Sequence, residues 1–307
     1  MVSPASTPWK EGVLRCQKLY EDWGLHVELG HHVFSEAGYL AGSDEQRLAD
    51  FNDALRDEGV RAIFATTGGK GSYRIANKLD FAAAARDPKL VIGFSDITAL
   101  HLSLLRECGM VGVHGPLSSW GDDFIGPESV EALRRSLMTD ADIVLRSDPI
   151  ESTSALTTRG EALGPLIGGN LDTLAICAGW SLPNLNGAIL LIEANGMGLG
   201  QVDRQLTMLA NAGHLRGISG VAVGQFTRFE PHGNWTIIDL LRDHLERWNV
   251  PILGGLRIGH GKNPLTVPIG ANAALDADSG TLRVSPSVHP PQRTSLVGQR
   301  QQRPQRA

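Results

Sequence analysis

Ser95 stands in the run Val91-Ile-Gly-Phe-Ser-Asp-Ile-Thr-Ala-Leu-His101, where an apolar strand pattern gives way to a helical one. A serine at a tight strand-to-helix turn exposes its hydroxyl, and the first amides of the following helix point at any oxyanion that forms beside it. That is the geometry a nucleophile needs. The run is not the G-x-S-x-G elbow, because Ile97 occupies the place of the second glycine. A plain helix cap at Ser95 or Asp96 is the competing explanation.

Three further segments add complementary chemistry. In Thr66-Thr-Gly-Gly-Lys-Gly-Ser-Tyr-Arg74, directly after a strand pattern, Gly68, Gly69 and Gly71 let a backbone approach a ligand and offer amide donors. Neither phosphate motif fits: Gly71 follows Lys70 where a P-loop needs Ser or Thr, and Arg74 stands where G-x-G-x-x-G needs glycine. A tight turn with no ligand remains open. Glu193 closes the apolar run Ala188-Ile-Leu-Leu-Ile192, placed either to orient a histidine or as a solvated strand end. His260, between Gly259 and Gly261, reads as an exposed loop histidine able to accept and return a proton near neutral pH.

Other candidates are weaker. His31-His32 is a bare pair, His114 lies in Val-His-Gly-Pro, and no H-E-x-x-H occurs, so no metal site is expected. Cys16, Cys108 and Cys177 form no C-x-x-C pair and read as buried thiols. Trp120 and Phe124 are aromatic groups that could stack on a base or serve as core anchors.

Alternating elements must position these residues. Lys10 to Trp23 has helical spacing, and His26 to Leu29 reads as a short strand. Ser43 and Gln46 form a capping box for a helix with Leu48, Phe51 and Leu55 on one face, followed by a strand over Arg61 to Ala65. Lys89 to Gly93 is another strand, leading through Ser95 into an apolar helix that ends at Cys108 before Gly109. This repeated order argues for a parallel sheet covered by helices. Further on, strands are expected at Ala188 to Ile192 and Gly220 to Phe226. Helices are expected at Gly169 to Ala178, Gln201 to Asn211 and Asn234 to Trp248, and a hairpin around Asp278-Ser279-Gly280.

Composition shifts toward Ser, Thr, Asp and Pro between Thr139 and Arg159. At roughly 150 residues per domain, 307 residues suit two domains, divided as 1–140, a linker 141–159, and 160–286. The last stretch, 287–307, holds Arg293, Arg300, Arg303 and Arg306 with no acidic residue and is expected to be a disordered basic tail. The whole chain's formal net charge of −5, which becomes −9 without the tail, offers no basic field for nucleic acid or anionic lipid. No run reaches about 18 apolar residues and the start lacks a signal-peptide core, so a cytoplasmic protein is expected, with no membrane partner.

Eight motifs, in order, carry a family resemblance. They are Val2-Ser-Pro-Ala-Ser6, Gly38-Tyr-Leu-Ala-Gly42, Gly68-Gly69, Gly93-Phe-Ser-Asp-Ile-Thr-Ala-Leu100, Val113-His-Gly-Pro116, Gly168-Gly-Asn-Leu171, Leu191-Ile-Glu193 and Gly259-His-Gly261. The chain resembles the serine LD-carboxypeptidases, which include muramoyltetrapeptide carboxypeptidases and the microcin C immunity peptidases. The resemblance implies an α/β protein with a doubly wound N-terminal parallel-sheet domain and a smaller mixed α/β C-terminal domain. It also implies a homodimer, with the active site where the domains meet. Activity would be metal-independent and cofactor-free, with Ser95 as nucleophile, His260 as base and Glu193 orienting His260. The amides of Asp96 and Gly69, or Gly68 in its place, would be oxyanion donors, and Lys70 or Arg74 would bind a substrate carboxylate.

Thr67 and Lys70 stand where members usually carry arginine and tyrosine. The chain also opens at the Ser-Pro-x-Ser element, so the first half of the usual opening strand is expected to be missing. The leading expectation is release of the terminal D-alanine from a muramoyl tetrapeptide, in murein recycling. A peptidyl-nucleotide or other amide substrate stays open, as does a non-catalytic binding protein that uses the glycine loops as an anion nest.

Overall fold

The computed structural model describes residues 1–116 and 124–287; Trp120 and the basic tail from residue 288 onward lie outside them. One sheet has the order Ala62–Phe64, Leu90–Gly93, Gly112–His114, Val267–Ile269, the first three parallel and the last antiparallel. Successive strand residues point to opposite faces, and here both faces are covered. Ile63 and Val91 pack with Phe51, Leu55, Ala83 and Leu100, from the helices Asp44–Arg56, Phe81–Arg86 and Thr98–Cys108. Phe64, Ile92 and Val113 pack the other way, with Tyr20 and Leu133 from Lys10–Asp22 and Pro127–Met138. The first half is therefore doubly wound, and each large apolar side chain buried this way contributes about 1.5–3 kcal/mol.

The second sheet has the order Ile143–Arg146, Thr281–Val284, Asn272–Asp276, Glu161–Asn170, Ile189–Asn195, Gly220–Thr227, Ile252–Leu253. Its first four strands pair antiparallel and its last four parallel, with Glu161–Asn170 common to both runs. The expected hairpin forms, with Asp276 accepting from the Ser279 amide at 2.9 Å and Gly280 at φ 66°. Among the described residues, no helix is long and apolar enough to cross a membrane.

Several elements differ from expectation. His26 to Leu29 is not a strand: although its residues alternate in exposure, its backbone meets only Met1, and a ladder needs more than one partner. Residues 143–146, within the expected linker, form an edge strand. The expected helix from Gly169 starts at Leu171, because Gly169 and Asn170 end the strand Glu161–Asn170, whose glycines and Pro165 disguise it as a loop. The expected helix from Asn234 starts at Ile237, capped by Thr236. Val267–Ile269 returns to the first sheet as its edge, where Pro268 is tolerated.

Candidate active site

The turn after Leu90–Gly93 is strained. Ser95 has φ 62°, a left-handed conformation that a non-glycine residue adopts at a cost of order 1 kcal/mol or more. A 3-10 turn, Ser95–Ile97, then feeds the helix Thr98–Cys108, whose end at Gly109 is left-handed as expected. The glycine loop lies directly against this turn. A Cβ at Gly68 would stand 2.8 Å from Ser95 Cβ and 3.2 Å from its Oγ, so only glycine fits. The loop is held from beneath: Gly68 O accepts from the Ser6 amide at 3.1 Å, the Lys70 amide donates to Ser6 Oγ at 3.0 Å, and buried Arg47 donates to Gly71 O at 2.9 Å.

Glu193 is fully buried near the end of Ile189–Asn195, which decides against a solvated strand end. Pairing with Gly220–Thr227 changes register between Ile192 and Ala194, and such an irregularity re-aims the side chain it encloses. Glu193 Oε2 lies 2.6 Å from His260 Nδ1, and Oε1 accepts from Asn170 Nδ2 at 3.1 Å. Burial alone would raise the Glu193 carboxyl, but the His260 and His114 imidazoles and these hydrogen bonds outweigh it, holding it below the usual carboxylate range.

His260 is buried, not the exposed loop histidine expected; it is 7% accessible. Its ring packs on Phe94 with centroids 4.7 Å apart, so the residue before Ser95 braces the imidazole. Gly259, at φ 128°, leaves no space for a side chain: a Cβ there would be 2.7 Å from Glu193 Oε2. The Gly261 amide donates to Gln225 Oε1 at 2.8 Å, which fixes the other side of the loop.

A pocket of about 170 Å³ joins the two halves of the chain. Gly69, Lys70, Ser95 and Asp96 line it from the first half; Asn170, Asp172, Asn195 and His260 line it from the second. Glu193 sits behind His260, outside the lining. Lys70 Nζ lies 3.3 Å from Asp172 Oδ2, whose other oxygen accepts from Gln201 and Gln205. Arg74 is placed elsewhere, paired with Asp44 at 2.9 Å and outside the lining. Phe124 O accepts from the Asn263 amide at 2.8 Å, and Phe124 does not line the pocket either. Among the described residues, no group of three or more His, Cys, Asp and Glu side chains is placed to hold a metal ion.

Asn170, Asp172, Asn195 and Gln225 were not singled out from the sequence. Asn170 had a signal, since an asparagine after two glycines and before an apolar run is a helix N-cap, and it accepts from the Thr173 amide at 3.2 Å. Gln225 had one too, as a lone amide inside the apolar strand Gly220–Thr227.

Residues 1–115 match the LD-carboxypeptidase N-terminal domain, and 163–275 match the LD-carboxypeptidase C-terminal domain. The chain is 33% identical to a probable murein peptide carboxypeptidase of Bacillus subtilis, over 94% of this chain and 91% of that one. It is 25% identical to the microcin C7 self-immunity protein MccF of Escherichia coli, over 92% and 90%. The crystal structure of a muramoyltetrapeptide carboxypeptidase from Oxalobacter formigenes superposes with a TM-score of 0.81 at 25% identity, over 92% and 96%.

Proposed function

The chain belongs to the LD-carboxypeptidase family, and on that premise we propose that it is a serine peptidase that releases the terminal D-alanine of a muramoyl tetrapeptide. The observation that carries this reading is the convergence of Ser95 and His260 on one pocket, with His260 Nδ1 held 2.6 Å from Glu193.

Ser95 Oγ attacks the carbonyl carbon of the scissile L,D amide while His260 Nε2 takes the hydroxyl proton. Glu193 fixes the tautomer, with the proton on Nδ1, and stabilises the imidazolium that forms. The developing oxyanion is met by the amides of Gly69 and Asp96, the latter in the first turn of a helix where no earlier carbonyl is in reach. The tetrahedral adduct collapses as His260 returns its proton to the leaving amine, and D-alanine departs. Water then attacks the acyl-enzyme by the same steps and regenerates Ser95. Lys70 receives the terminal carboxylate of the substrate, exchanging its contact with Asp172.

The test is D-alanine release from purified muramoyl tetrapeptide by the wild type and by Ser95→Ala. Release by the wild type alone supports the reading; equal release by both, or none, overturns it. A second reading keeps the same three residues but takes a peptidyl nucleotide as acyl donor. It is favoured by the similarity to MccF and by Lys70, a cation suited to a phosphate or carboxylate at the pocket edge. Fluorophosphonate labelling of Ser95 without D-alanine release would select it, whereas an unlabelled protein would point to ligand binding alone.

A further inference from the structure

The glycine loop and the nucleophile turn are tied together by a reciprocal pair of buried hydrogen bonds. The Ser72 amide donates to Asp96 Oδ2 at 2.7 Å, and Ser72 Oγ donates to the Asp96 carbonyl at 2.5 Å. Ser72 is fully buried and Asp96 is 3% accessible. The pair joins two backbone segments: 68–72, which carries the Gly69 amide, and 95–97, which carries the Asp96 amide. Ser6 and Arg47 brace the loop from beneath and bond to neither residue of the turn.

We propose that the Ser72 hydroxyl and the Asp96 carboxylate are a positioning pair that sets the spacing between the Gly69 and Asp96 amides, and so the size of the oxyanion site. The inference rests on the serine mechanism above. Its logic is geometric. Two donors stabilise a tetrahedral oxyanion only when both lie about 2.7–3.1 Å from the position that oxygen will occupy. They come from separate loops, so their separation depends on what links the loops. Asp96, which lines the pocket, contributes at both ends: in the serine mechanism its amide serves the oxyanion, and its carboxylate holds the loop that carries the partner donor. Burying a carboxylate is costly unless its acceptors are used, and here one oxygen receives a backbone N–H. The ground-state substrate does not need this spacing; the transition state does, so the pair acts on kcat rather than KM.

The experiment compares Ser72→Ala, Asp96→Ala and Asp96→Asn with the wild type, reading kcat and KM for D-alanine release and the second-order rate of fluorophosphonate labelling at Ser95. The phosphonyl oxygen occupies the oxyanion position during labelling, so the probe reports on the same donors without needing the peptide. Asp96→Ala is expected to lower kcat and the labelling rate by about 10–100-fold with KM within about threefold. Asp96→Asn, whose amide oxygen still accepts from Ser72, recovers most of that loss. Ser72→Ala and Asp96→Ala each lose one of the two bonds, so Ser72→Ala is expected to fall in the same range. If Asp96→Ala does not fold, Ser72→Ala decides alone. Wild-type kcat in the Ala variants, or a rise in KM that accounts for the whole loss, overturns the inference, as does an Asn variant no better than Ala. An inactive, unlabelled wild type would overturn the serine mechanism itself, and the two failures are thereby distinct.

Discussion

Asn170 and Glu193 are register partners on adjacent parallel strands, and the Asn170 amide group donates to Glu193 at 3.1 Å. The same asparagine caps the helix Leu171–Ile176 and donates its backbone N–H to Thr98 Oγ1 at 3.2 Å, in the helix that follows Ser95. Asn170→Ala therefore leaves one oxygen of a buried carboxylate unpaired and uncaps a helix. Expected are a stability loss of about 1–3 kcal/mol and at least a tenfold fall in kcat, because Glu193 is freed to rotate away from His260. Chemical denaturation and steady-state kinetics check both. Asn170→Asp preserves the cap but sets a second carboxylate against Glu193, so it should recover stability less well than shape alone suggests.

Glu193→Gln keeps the side chain's outline and removes its charge. His260 Nδ1 then faces a group that no longer stabilises an imidazolium, and the expected fall in kcat is about 10²–10⁴-fold with KM changed little. Fluorophosphonate labelling should slow in parallel. Labelling at the wild-type rate would remove Glu193 from the chemistry.

Much of this site is legible one residue at a time. Ser95, Glu193 and His260 each sit where an apolar strand ends or a glycine pair opens a loop, and their types suggest roles. What brings them together is not written locally. The register change beside Glu193 depends on how Gly220–Thr227 pairs with its neighbour. The return of Val267–Ile269 to the first sheet depends on a free edge beside Gly112–His114. Glu161–Asn170 was hidden because glycine and proline mark turns in isolation, yet within a sheet the same residues permit close approach: a side chain at Gly169 would meet Thr98. Arg74 reads as a cation beside the glycine loop, but the helix Asp44–Arg56 presents Asp44 to it first.

Lys70 and Asp172 span the pocket as a partly exposed ion pair, with side-chain accessibilities of 60% and 25%. Such a pair contributes less than about 1 kcal/mol to folding, so Lys70→Ala should leave the melting temperature within a few degrees of wild type. If Lys70 receives the substrate carboxylate, KM rises by about tenfold or more while kcat changes less. An unchanged KM would assign Lys70 to the ion pair alone.

Two buried histidines set the response to acid. Burial, followed by the nearby His114, lowers His101 to about 3. Burial also lowers His114 to about 4, although Glu193 opposes it. A depressed imidazole means the unfolded chain binds protons first, so their contribution is full above about pH 6.5 and is lost as the pH falls toward 4 and below. Each costs about 2 kcal/mol between pH 7.5 and pH 5, while Asp96, shifted the other way, returns about 1 kcal/mol. From these three groups alone, a fall in stability of a few kcal/mol over that interval is expected in urea denaturation. A flat profile would mean that one histidine reaches water.

Asp96 carries the opposite sign and can be isolated by substitution. Burial raises it to about 6, against the hydrogen bonds from Ser72 and the charges of Lys70 and Arg47, which act to lower it. A carboxyl with a raised folded-state pKa contributes most below its unfolded value near 3.8, and that contribution is lost as the pH rises through 6. At pH 7.5 the wild type therefore bears a desolvated charge costing about 3 kcal/mol, which Asp96→Asn does not bear. The Asn variant should unfold at higher denaturant than wild type at pH 7.5, with the advantage shrinking through pH 6 and gone near pH 4. Paired with the kinetics, this separates two roles for one side chain. If Asn stabilises the fold and also recovers turnover lost in Asp96→Ala, then the acceptor oxygen, rather than the charge, aligns the glycine loop with Ser95. If Asn stabilises the fold but turnover stays low, the negative charge beside Ser95 is itself required.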